Sequence, residues 1–104
     1  MVIIIGEVHF SDGALDARRP ALARLVEAAR PMPGCLHYSQ SYDAADPNRL
    51  IVSQRWEDEE SMNRYYQSTA LYEFSREVDD ATVLRMDIRS YRAEYLRTML
   101  AKEG

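Results

Sequence analysis

Four side chains that join an aromatic ring to a hydrogen-bonding tip, Trp56, Tyr65, Tyr66 and Tyr72, fall within seventeen residues of one another. Such groups serve equally as core or rim aromatics and as the wall of a pocket, because the ring takes apolar contact while the tip finds a polar partner. His9 and His37 are the only side chains whose ordinary pKa lies near neutrality, which makes either a candidate base. Both fall in strand-like stretches, where an interface or surface role suits them as well. Arg55, Arg85 and Arg89 could each meet a substrate anion or form a solvated ion pair. The single cysteine, Cys35, has no Cys or His at zinc-ligand spacing and reads as a small buried hydrophobe. The run Glu57-Asp58-Glu59-Glu60 precedes an amphipathic stretch, and there it suits the positive end of a helix dipole better than a metal. Nothing resembles a Ser/His/Asp triad, a phosphate loop or a dinucleotide fingerprint.

The elements that would hold these groups follow from periodicity. Residues 2–10 are β-branched and aromatic apart from Gly6 and Glu7, and Ser11-Asp12-Gly13 breaks the run, which predicts a first strand. Leu22, Leu25, Val26 and Ala29 recur at helical spacing. That predicts a helix beginning near Arg18 or Arg19, where Pro20 is tolerated in the first turn, and ending at Pro31, Pro33 and Gly34. A second strand over residues 35–42 puts Leu36, Tyr38, Gln40 and Tyr42 on one face. Residues 43–48, with Pro47, supply turn chemistry, and a third strand over residues 49–56 sends Leu50, Val52, Gln54 and Trp56 to one side. Asp58 is set to cap a short helix bearing Met62, Tyr65 and Tyr66, and Ser68 or Thr69 a further one with Leu71, Phe74 and Val78. A fourth strand over residues 82–93 alternates Leu84, Met86 and Ile88 with Arg85, Asp87 and Arg89. Leu96, Met99 and Leu100, at helical spacing, suggest a last short helix in the tail.

The order β-α-β-β-α-β is the split βαβ pattern, an α+β ferredoxin-like fold with a four-stranded antiparallel sheet and helices on one face. Its other face would carry Ile3, Ile5, His9, His37, Ile51 and Arg89, a mixture best explained by packing against a second copy as a homodimer through the sheet faces. At 104 residues the chain has the length of a single domain, with a core of about 2–92 and a C-terminal extension over 93–104. A net charge of −4 without a dense Lys/Arg cluster speaks against a nucleic-acid partner. The longest apolar run, residues 2–5, is far short of the roughly 20 residues of a membrane span, and no basic n-region precedes it. With one unpaired cysteine the expected location is cytoplasmic.

Three passages carry a family resemblance: Pro33-Gly34-Cys35-Leu36-His37-Tyr38, Asp46-Pro47, and the stretch from Gln54-Arg55-Trp56 through Glu57-Asp58-Glu59-Glu60 to Ser61-Met62. Together they resemble the antibiotic biosynthesis monooxygenase (ABM) domain, over roughly residues 2–92. The resemblance implies a dimeric α+β barrel with a pocket between sheet and helices in each subunit. It further implies a monooxygenase that oxidises a small aromatic or quinol-like compound with molecular oxygen and needs no cofactor, metal or flavin. That chemistry asks for a substrate able to give an electron to oxygen once deprotonated. The protein adds a dry pocket, a proton acceptor and polar groups for the developing anion. A non-catalytic dimeric small-molecule-binding module of the same fold is the alternative.

Carried over residue by residue, Trp56 matches the family's strand-three tryptophan, and with Tyr66 it is the expected catalytic pair. Gly6, Tyr38, Gln54, Tyr65, Tyr72 and Phe74 are expected to line the substrate pocket, which for a small-molecule site should measure about 300 Å³ or more. Tyr66 falls where haem-degrading members place an iron-ligating histidine, Gly6 where they carry an asparagine, and Gln54 where the family often has glutamate. No stoichiometric haem complex is therefore expected.

Overall fold

The computed structural model describes residues 1–78 and 80–104. Four strands, β1 (Val2–Phe10), β2 (Cys35–Asp43), β3 (Asp46–Trp56) and β4 (Val83–Arg92), form one antiparallel sheet in the order β2-β3-β1-β4. Four helices, α1 (Ala14–Ala17), α2 (Arg19–Ala29), α3 (Glu59–Tyr66) and α4 (Thr69–Glu77), complete the ferredoxin-like α+β fold, and a 3₁₀ turn, Asp80–Thr82, leads into β4. Among the described residues no helix is long and apolar enough to cross a membrane.

The pleat assigns the faces. Val2, Ile4, Val8 and Phe10 of β1 and Leu50, Val52, Gln54 and Trp56 of β3 are buried on one side. Against them pack Leu22, Leu25 and Ala29 from the apolar stripe of α2. Phe74 of α4 touches both halves of this core. The Asp58 carboxylate accepts the Ser61 amide (2.8 Å) and the Ser68 hydroxyl accepts the Leu71 amide (3.2 Å), so each short helix starts on the cap its sequence supplies.

Several expectations are corrected. The break after β1 is a helical turn, α1, whose Leu15 is completely buried. Gly13 opens it with φ near +77°, a conformation that a side chain disfavours. Leu36 does not share the face of Tyr38. A bulge between Cys35 and His37 shifts the register there and leaves Leu36 exposed. Pro47 lies inside β3, not in the turn. The register slips between Tyr42 and Asp43, and Pro47 is paired in neither of β3's ladders, so its missing N–H costs no ladder hydrogen bond. Residues 93–104 form no helix. Tyr95, Leu96, Met99 and Leu100 are all exposed, and an isolated helix this short has no packing to offset its nucleation.

Candidate functional site

A cavity of about 260 Å³, smaller than the roughly 300 Å³ or more expected, opens between the helix-facing side of the sheet and α3 and α4. Its floor includes Val8, Val52 and Gln54 from the two central strands. Tyr38 and Gln40 close it from β2, Tyr65, Tyr66 and Phe74 form its helical wall, and Met86 and Ile88 reach it from β4. The last two, with Tyr66, stand exposed at the mouth. No Asp, Glu, Lys, Arg or His is among the described residues lining it.

Several polar groups of this wall bond one another. The Tyr38 and Tyr65 hydroxyls share a hydrogen bond, and the Gln40 amide donates to the Tyr38 oxygen at 2.9 Å. Behind them the Trp56 indole N–H donates to Gln54 Oε1 at 3.0 Å. Tyr65 stacks on Trp56 with centroids 5.3 Å apart and meets Tyr38 and Tyr66 edge-on at 5.2 and 5.1 Å. Burial pushes the Tyr38 and Tyr65 phenols above their ordinary range. The hydrogen bonds from Tyr65 and Gln40 moderate the shift at Tyr38, while the neighbouring Tyr38 adds to it at Tyr65. Tyr66 is raised too, by burial and then by Tyr38, and a hydrogen bond from Gln54 works in the opposite direction. All three are neutral phenols at physiological pH.

Of the residues picked out by sequence, Tyr38, Gln54, Tyr65, Tyr66 and Phe74 come together on the cavity wall. Trp56 does not line it; fully enclosed, it backs the wall through Tyr65 and Gln54. Gly6 also stays out of the lining. It faces Ile88 across the β1–β4 ladder, and a Cβ there would come within 2.6 Å of Ile88 Cγ1 and 2.7 Å of the Asp87 carbonyl. Its bareness is what lets Ile88 reach the cavity. Tyr72 points outward from α4, with the Arg76 guanidinium 5.9 Å from its ring centroid. Gln40, Met86 and Ile88 line the cavity without having been singled out. The signal for Gln40 was its place on the Tyr38 face of β2, and that for the β4 pair was their alternation with charged residues.

The histidines lie elsewhere. His9 and His37 pair with Arg49 and Arg55 in the ladders, on the opposite side of the sheet. There Arg49 bonds both Glu7 and Asp43, and His9 Nε2 lies 3.2 Å from Glu7 Oε1.

Fold and cavity together define a ferredoxin-like α+β protein with an uncharged, aromatic-walled pocket beneath its helices. The family model described as antibiotic biosynthesis monooxygenase matches residues 1–77, and the chain belongs to that family. Its architecture is similar to that of a candidate antibiotic biosynthesis monooxygenase from Deinococcus radiodurans, at 22% identity, TM-score 0.86, and 97% of this chain on 100% of that one. It is likewise similar to the protein PA3566 from Pseudomonas aeruginosa, at 24% identity, TM-score 0.79, and 89% on 94%. A further candidate of the same kind, from Nitrosomonas europaea, has 14% identity and TM-score 0.84, with 91% on 100%. At these identities the likeness speaks for the fold alone. No curated protein matches the chain.

Proposed function

We propose that the chain is a cofactor-independent monooxygenase acting on a small aromatic or quinol-like compound held in the cavity beneath α3 and α4. The observation that carries this reading is the cavity wall itself: hydrocarbon and aromatic rings interrupted by neutral hydroxyl and amide groups. Such a wall excludes water from a flat molecule and offers donors to oxygen atoms that gain charge. In the reaction an activated CH₂ of an enolisable ketone loses a proton, gives electrons to O₂ and becomes C=O, while the second oxygen atom leaves as water. The substrate supplies all four electrons, so the balance needs no further reductant. Among the described residues the wall holds no carboxylate or imidazole, so in this reading the proton passes to solvent at the mouth beside Tyr66, whose hydroxyl orients the substrate.

The lack of a base among the described residues of the wall suits the second reading, a binding module of the same fold that performs no turnover. Oxygen uptake across a panel of hydroquinones and enolisable ketones separates the two. Oxidation that falls about tenfold in Tyr66→Phe, the worth of one hydrogen bond, is the expected result. No oxidation by the unmodified protein would leave the binding module as the better reading. Haem is expected to give no saturable Soret band, because the phenol at position 66 is a poor ligand until ionised.

The chain is further read as a single cytoplasmic domain that works as a homodimer through its sheet faces. Ile5 is 55% exposed on the helix-free face, and Tyr91 and the partly exposed Ile3 and Ile51 lie on the same side. A second copy would cover this apolar group, and interfaces of that kind bury on the order of 2,000 Å² or more.

A further inference from the structure

The tyrosine hydroxyls of the cavity can each donate or accept, but one polar group there has its direction fixed. An indole N–H only donates, so the Gln54 atom that it meets at 3.0 Å must be the carboxamide oxygen. Both partners are buried, Gln54 to 2% exposure and Trp56 completely, so no water competes for that bond. With its oxygen held by Trp56, Gln54 has its amide nitrogen as the end turned away from that bond, and of its two hydrogens Tyr66 takes one. The pairing thus orients a two-way group with its donor end away from Trp56.

The surroundings narrow what that donor could meet. An ionised ligand would lose hydration against a wall whose described residues carry no counter-charge. A plain hydrocarbon would displace water and leave unpaired the Gln54 amide hydrogen that Tyr66 does not take. A neutral ring system with an acceptor oxygen avoids both costs. We infer that Gln54 is the specificity-determining residue of the cavity, reading a carbonyl oxygen on a neutral aromatic ligand, and that Trp56 is the positioning residue that aims its amide. This rests on the reading of the cavity as the small-molecule site. The hydrogen bond that opposes the rise of the Tyr66 phenol has the sign of a Gln54 N–H pointing the same way.

The test uses 1-tetralone and tetralin, its carbonyl-free analogue, titrated calorimetrically into the purified protein, Gln54→Met and Trp56→Phe. The readout is the ratio of the tetralin Kd to the tetralone Kd, the carbonyl preference. It should fall about tenfold in Gln54→Met and by more than about threefold in Trp56→Phe, where the amide is free to turn. A purely structural role for Trp56 would weaken both ligands together and leave the ratio unchanged. A change below about threefold in both variants overturns the inference while the cavity remains a binding site, and a fall in Gln54→Met alone overturns the role given to Trp56. If neither ligand binds the unmodified protein, the cavity reading fails along with it. Infrared spectra of 1-tetralone on the unmodified protein depend on no variant's folding. Its carbonyl stretch should lie below the alkane-solution frequency, and an unshifted band would overturn the assignment.

Discussion

The two faces of the sheet handle polarity in opposite ways. Among the described residues lining the cavity the polar side chains are neutral and several bond one another, as with Tyr38, Tyr65 and Gln40, while Gln54 bonds Trp56 behind them. On the other face they are charged: Arg49 between Glu7 and Asp43, with His9 beside Glu7. Burial accounts for the contrast. A charge beneath the helices would lose its water, whereas the side chains of Arg49, Glu7 and Asp43 keep 32%, 25% and 19% of their exposure. A neutral network can be sealed and still host a ligand, while a charged one needs solvent or a complementary surface. The covered face therefore suits a small molecule, and the open face another protein surface.

The largest expected effect falls on the covered face. Trp56→Ala removes the largest fully buried side chain and leaves Gln54 without its donor, and should cost about 3–5 kcal/mol in urea unfolding. A loss below about 1 kcal/mol would mean that the wall is much looser than its ring contacts indicate. On the open face, Ile51→Asp should lower the dimer association constant by about a hundredfold or more, since it would bury an unpaired charge at the proposed interface. The melting temperature should fall with it. Sedimentation of the unmodified protein as a monomer at micromolar concentration would remove the dimer, and so would an interface made only of helices.

The smallest effects should divide by pH. Glu7 lies below its ordinary 4.5, chiefly through its bond to Arg49 and then through His9. Asp43 lies below 3.8 through the Ala45 amide first and Arg49 second. The folded chain thus holds these protons less tightly than the unfolded one. The stability gained is complete above those ordinary values and is lost as pH falls through the lower folded ones. On the covered face the sign reverses. Tyr38 and Tyr65 lie above 10, so their contribution is complete below that value and is lost as pH rises beyond it. Urea midpoints at stepped pH should therefore show a flatter acid limb in Arg49→Met, only partly so because Ala45 still holds Asp43. Tyr65→Phe should flatten the alkaline limb alone. If either substitution changed the other's limb equally, the two faces would not be electrostatically separate.

By itself the sequence determined the order of the four strands and of the three longer helices, the caps of α3 and α4 and the face on which Gln54 and Trp56 lie. These follow from local periodicity and from side chains that bond backbone a few residues away. It also brought Tyr65 and Tyr66 to the right junction. Periodicity reports a direction but not a depth, however, so it could not tell that Trp56 backs the cavity wall while Tyr66 stands at its mouth. The tertiary structure decided that, along with the bond between Tyr38 and Tyr65 across 27 residues of chain and the seating of Ile88 against Gly6. It also left the apolar tail residues without the helix that their spacing suggested. The physical reason is the same each time: a contact between distant elements exists only once both are fixed, and a helical stripe holds its shape only where something packs on it.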